Sequence, residues 1–127
     1  MIARYLGAGL VAGALALGSS VALAQGDAEK GQVVFNKCKA CHVVDETKNK
    51  VGPYLVGLFG RPAGSVEGFK YSPAMKDSGI TWTEETLAAY LADPRGYIKG
   101  NRMAFAGLKS DEDIVDLIAY LKQATDS

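Results

Sequence analysis

Cys38-Lys39-Ala40-Cys41-His42 is the stretch of this chain with the most chemistry in it. Two thiols three positions apart can each add across one vinyl group of a haem, and the imidazole that follows can reach the iron from beneath the ring. That spacing is the attachment signature of a covalent haem. His42 is the only histidine in the chain, so the motif predicts one haem and excludes bis-histidine ligation. Other readings of the pentapeptide are weaker. A thioredoxin-like C-x-x-C needs a strand–helix–strand setting, and no such alternation is present. Zinc wants four ligands, and no second Cys/His cluster follows. A disulfide across two intervening residues of a helical turn is sterically poor.

With the one histidine used, the sixth iron position falls to methionine, lysine, water or an exogenous ligand. Beyond Met1 the methionines are Met75 and Met103. Met75 sits in a predicted short helix and reads as core filler. Met103 sits in a segment bounded by Gly100 and Gly107, and a loop can carry a thioether over the iron where a helix interior cannot. Position therefore favours Met103. A soft thioether stabilises ferrous iron, and two strong protein ligands leave no open site for substrate. That combination suits outer-sphere electron transfer. The alternative is a haem enzyme or ligand-binding sensor in which Met103 does not bind and the sixth position stays open.

The elements that must position these groups begin after residue 24. Arg4 is the sole charge in the first 24 residues, an apolar run of small residues follows it, and Val21-Ala22-Leu23-Ala24 ends the stretch. This is the layout of a secretory signal cleaved after Ala24. As a retained anchor the run is short of the ~20 apolar residues a span needs. Export also fits thioether formation, which in bacteria takes place outside the cytoplasm, and it predicts a periplasmic protein. The remainder, 25–127, is one small domain. With Arg4 taken from the 14 lysines and arginines, 13 remain against 14 acids. No bulk positive charge points to nucleic acid.

Periodicity and caps predict an all-α chain. Asp27 to Lys37 reads as a first helix, with Asp27 and Glu29 at its positive end. Ser72-Pro73 and Asp93-Pro94 open two short helices in the cap-then-proline arrangement. Thr83 caps another, with Leu87, Tyr90 and Leu91 on one face. Ser110 followed by three acids begins the last helix, where Ile114, Leu117, Ile118 and Leu121 recur at i, i+3, i+4 and i+7. Between them, Val51 to Arg61 is apolar and punctuated by Gly52, Gly57 and Gly60, which predicts an irregular segment. Pro53 lies in it with a carbonyl but no N–H, a suitable acceptor for an N–H of His42.

The residues then resemble a known family, class I cytochrome c, particularly its bacterial cytochrome c2 type and mitochondrial relatives. The match is carried by Gly26 to Gly31, Cys38 to His42, Gly52-Pro53, Gly57 to Arg61, Gly68-Phe69, Tyr71, Gly79 to Trp82, Glu84 to Leu87, Tyr90-Leu91, Tyr97-Ile98, Met103, Phe105 to Gly107 and Asp116 to Leu121. The resemblance implies helices around one haem c, with the first and last helices crossing and Gly31 set against Leu117 and Tyr120. It implies that Cys38 and Cys41 hold the haem, that His42 and Met103 ligate the iron, and that Pro53 accepts from His42. Arg61, Tyr71 and Trp82 take the propionate side, Tyr90 lies beside the Met103 sulfur, and Phe105 lies beside the exposed haem edge. The function implied is a monomeric periplasmic electron carrier rather than an enzyme. Its implied partners are a cytochrome bc1-type donor and either cytochrome c oxidase or a photosynthetic reaction centre. Lys99 stands where relatives commonly carry proline, and Met75 where many carry asparagine. Lys37, Lys39, Arg95, Lys99, Arg102 and Lys109 are expected to form a basic ring about the exposed edge.

Overall fold

The computed structural model describes residues 25–126; the signal segment and its cleavage after Ala24 lie outside them. Five α-helices lie among them, α1 Ala28–Val34, α2 Pro73–Lys76, α3 Glu84–Ala92, α4 Pro94–Tyr97 and α5 Asp111–Ala124, joined by irregular connections except that Asp93 alone separates α3 from α4. The predicted first helix is shorter than its pattern. Its α-helical part stops at the β-branched pair Val33-Val34, and Phe35–Lys37 continues as a 3₁₀ turn, a common way for a helix to end. Among the described residues the only β pairing is an isolated bridge between Pro62 and Thr81, so the all-α class holds. No helix among them is long and apolar enough to cross a membrane.

The caps are where the sequence puts them. Asp27 accepts from the backbone N–H of Glu29 and Lys30, Ser72 from Met75, Asp93 from Gly96 and Ser110 from Asp113. Thr83 and Thr86 exchange side-chain and backbone bonds in a capping box. Each cap satisfies N–H groups that a helix start otherwise leaves without partners. On α5 the four aliphatics at helical spacing are all buried, Leu117 at 1% exposure, and each contributes roughly 1.5–3 kcal/mol on burial.

α1 and α5 cross at contact distance. A methyl at Gly31 would collide with the backbone carbonyl of Asp116 and with Tyr120 Cβ. The nearest atoms across the crossing are those of Asp116 and Tyr120, and the Leu117 side chain is buried in the core. Asp116 is itself buried, and its Oδ1 accepts the Asp27 N–H at 2.8 Å. Phe35 and Tyr120 pack beside the crossing with ring centroids 5.5 Å apart. This corner fixes where the turn following α1 emerges, and that turn carries the thiols.

Candidate functional site

Cys38 to His42 forms one tight turn. The Cys38 carbonyl accepts from Cys41 N at 3.1 Å and from His42 N at 3.0 Å, so the motif's own backbone sets the relation between the thiols and the imidazole. Both cysteines are unpaired and half-buried. Burial, with the neighbouring Cys41 adding to it, pushes the Cys38 thiol up from its ordinary value, which keeps it a neutral thiol.

The segment after residue 50 runs back along this turn: Gly52 N donates to Cys41 O and Leu55 N to Val43 O, each at 2.9 Å. That pairing brings the Pro53 carbonyl 2.8 Å from His42 Nδ1. A carbonyl only accepts, so Nδ1 carries the proton and Nε2 carries the lone pair. Burial holds His42 below its usual value, ahead of the opposing effect of the Pro53 bond, and the ring is neutral near pH 7. A neutral imidazole with a fixed tautomer and a free lone pair on Nε2 is what a metal-binding histidine requires. Gly52 completes the arrangement, because a methyl there would run into the imidazole.

Met103 belongs to a second group of residues. The Tyr90 hydroxyl lies 3.6 Å from Met103 Sδ and 3.4 Å from Asn101 Oδ1. Burial pushes the Tyr90 phenol up to about 12, so it remains a donor at ordinary pH. Tyr90 packs edge-on against Trp82 at 5.0 Å between centroids. Trp82 joins Arg61 through the backbone, its N–H donating to the Arg61 carbonyl at 2.9 Å. The Arg61 guanidinium is turned to its own segment, donating to the carbonyls of Tyr54 at 3.0 Å and Val56 at 2.6 Å, and it sits over the Tyr54 ring. The Tyr71 hydroxyl accepts from Val66 N at 3.1 Å, leaving its own proton to donate. Phe105 is half-buried against the core, its N–H bonded to the Met103 carbonyl at 2.9 Å. Met75 is half-buried on α2.

Sequence reasoning passed over Asn101 and the partner of Asp116. An asparagine in a glycine-bounded loop has a known habit of bonding nearby backbone, which was a usable signal for Asn101. Nothing local marks a buried aspartate on an amphipathic helix.

Among the described residues no group of three or more His, Cys, Asp or Glu could hold a metal, which leaves zinc without a cage. The residues do fit a haem. In addition to the neutral imidazole and the unpaired thiols, the chain offers Leu55, Phe59, Met75, Ile80, Met103 and Phe105 as apolar side chains packed on the core but only part-covered. An apolar plate would bury them further.

Comparison with known proteins agrees. The family model described as cytochrome c matches residues 28–125. Cytochrome c2 of Blastochloris viridis is 53% identical over 116 residues, covering 90% of this chain and 91% of that one. Cytochrome c-550 of Nitrobacter winogradskyi is 54% identical over 99 residues, 77% of this chain and 91% of that one. Among solved structures, cytochrome cH from Methylobacterium extorquens superimposes with a TM-score of 0.73 at 43% identity, over 77% of this chain and 99% of that one.

Proposed function

Because the chain belongs to the cytochrome c family, in its class I bacterial c2 type, and so is a monohaem electron carrier rather than an enzyme, we propose how its residues serve that role and where it acts. The haem c, covalently held, supplies an iron that exchanges one electron at a time. Cys38 and Cys41 are its thioether residues. His42, through Nε2, and Met103 would ligate its iron. Pro53 orients the imidazole. Arg61, Tyr71 and Trp82 would hydrogen-bond its propionates, Tyr90 would donate toward the Met103 sulfur, and Phe105 would lie beside its exposed edge.

The observation that carries this reading is that both candidate ligands are held by a hydrogen-bonding neighbour. One has its tautomer set by a carbonyl at 2.8 Å, and the other has a buried hydroxyl at its sulfur, 3.6 Å away. A protein that must bind small ligands at iron gains nothing from fixing both. Two protein ligands held in advance would leave little to rearrange when the iron gains or loses an electron.

The chain is exported with residues 1–24 as a signal removed after Ala24, and it acts in the periplasm as a monomer. Its donor is a cytochrome bc1-type complex and its acceptor an oxidase or photosynthetic reaction centre. Repeated turnover requires fast release, so each contact is small, below ~1,200 Å².

Intact mass and a redox-resolved spectrum of the purified mature protein test the proposal together. The expected result is residues 25–127 plus one haem, low-spin in both redox states. A weak sulfur-to-iron band in the ferric form is lost in Met103→Ala and kept in Met75→Ala. A high-spin ferric spectrum in the unaltered protein refutes the ligand set, and an uncleaved mass refutes the processing.

A further inference from the structure

We propose that Asn101 is the positioning residue of the Met103 loop, and that its carboxamide governs how readily the Met103 sulfur yields its place to a competing ligand. The proposal rests on the reading of Met103 as an iron ligand. The Asn101 amide nitrogen donates to the carbonyls of Pro94 at 2.7 Å and Ile98 at 2.9 Å. Its Oδ1 accepts the Met103 N–H at 2.9 Å and faces the Tyr90 hydroxyl at 3.4 Å. The two carbonyls can only accept and the Met103 N–H can only donate, so the carboxamide has one workable orientation. A single side chain thus ties the start of α4, the residue that caps its end and the candidate ligand residue into one unit.

Nothing else in the segment does this. Lys99, Gly100 and Arg102 are exposed, while Asn101 and Met103 alternate with them as the half-buried positions. Lys99 imposes no fixed φ of the kind a proline would. The far end of the loop is held separately, by Leu108 N donating to the Leu91 carbonyl at 2.8 Å. Between Ile98 and Met103 the main chain makes one bond of its own, Asn101 N to the Ile98 carbonyl at 3.1 Å, and the Met103 N–H itself is held by the Asn101 side chain. When the carboxamide is removed, the Pro94 carbonyl keeps the Ile98 N–H and the Ile98 carbonyl keeps the Asn101 N–H, each at 3.1 Å, so only the half-buried Met103 N–H must turn to water. The loss then appears as freedom of the sulfur rather than as unfolding.

The test is imidazole binding to the ferric holoprotein, followed by loss of the sulfur-to-iron band, together with hydrogen exchange at the Met103 amide. Apparent affinity scales with the fraction of protein whose sulfur is off the iron, so Asn101→Ala should bind imidazole at least about tenfold more tightly. Its Met103 amide should exchange faster. Asp27→Ala, which removes the α1 cap far from the loop, lowers overall stability but should leave imidazole affinity within about twofold of the parent. If Asn101→Ala takes up no haem, Asn101→Asp keeps an acceptor for Met103 but lacks the amide donor, and it should shift affinity in the same direction. Unchanged imidazole affinity in the Asn101 variants, or an equal rise in Asp27→Ala, overturns the proposal while leaving Met103 as ligand. Absence of the sulfur band from the parent protein overturns the ligand reading instead, and this proposal with it.

Discussion

His42 donates its Nδ1 proton to the Pro53 carbonyl across 2.8 Å, and the acceptor is main chain, so no side-chain substitution at position 53 deletes it. Pro53→Ala should therefore leave the histidine's tautomer and the haem spectrum unchanged. The vulnerable residue is its neighbour. In Gly52→Ala the new methyl meets the imidazole, and the ring must turn away from the carbonyl or the segment must move. Overpacking of this kind costs about 1–3 kcal/mol. Chemical denaturation of the haem-loaded protein should show a lower midpoint for Gly52→Ala and little change for Pro53→Ala.

Tyr90→Phe should lower the reduction potential. The hydroxyl lies 3.6 Å from the Met103 sulfur; in the proposed role its proton is aimed there, and positive charge near the site favours the less positive, ferrous state. Removing it favours ferric iron. A buried hydrogen bond contributes about 1 kcal/mol net, which for one electron is roughly 40 mV, at about 59 mV per tenfold change in the equilibrium constant. Spectroelectrochemical titration measures the fall, and an unchanged or raised potential would remove the tyrosine from this role.

Local signals and long-range ones were not equally legible in the amino-acid sequence. The Thr83 and Ser110 caps and the buried face of α5 depend on residues within one or two turns of each other, and the local pattern alone locates them. The reciprocal bonding of Thr86 to Thr83 is equally local. Asp116 is different. Its partner, Asp27 N–H, is 89 positions away, and only the crossing of α1 and α5 explains why a carboxylate is buried there. The Gly31 contact shows the same limit: a close approach was legible, but its counterpart depended on the crossing angle. The Cys38 to His42 turn was readable because chemistry, not packing, dictates its spacing.

The helix crossing should be intolerant of small additions. Gly31→Ala drives a methyl into the Asp116 carbonyl, which is backbone and cannot rotate aside. Asp116→Ala leaves the Asp27 N–H without its acceptor, at a cost of about 1–3 kcal/mol for a part-buried donor. Both should lower the unfolding midpoint of the haem-loaded protein, Gly31→Ala more severely. The sulfur-to-iron band of the folded fraction should be unaffected, because neither residue touches the Met103 loop. A stability equal to the parent in both variants would mean the helices can slide apart without penalty.

Lys37, Lys39, Arg95, Lys99, Arg102 and Lys109 are all exposed, on a chain whose formal net charge is zero. Any steering by these side chains must therefore come from local positive charge rather than from the molecule as a whole. At 0.1 M ionic strength, charges separated by more than about 10 Å are largely screened. The bimolecular rate of electron transfer to an acidic redox partner should accordingly fall as salt is added. Lys99→Glu and Arg102→Glu should lower the rate at low salt and flatten its salt dependence, with no change in the haem spectrum. Charge-reversal of Lys122, whose ammonium is paired with Glu84 at 2.9 Å on the α3–α5 face, should leave the rate nearly unchanged, since that pair sits among the helices rather than in the Met103 loop. Stopped-flow kinetics across a salt series decides it: a rate that ignores ionic strength in the parent protein excludes steering by the exposed basic residues.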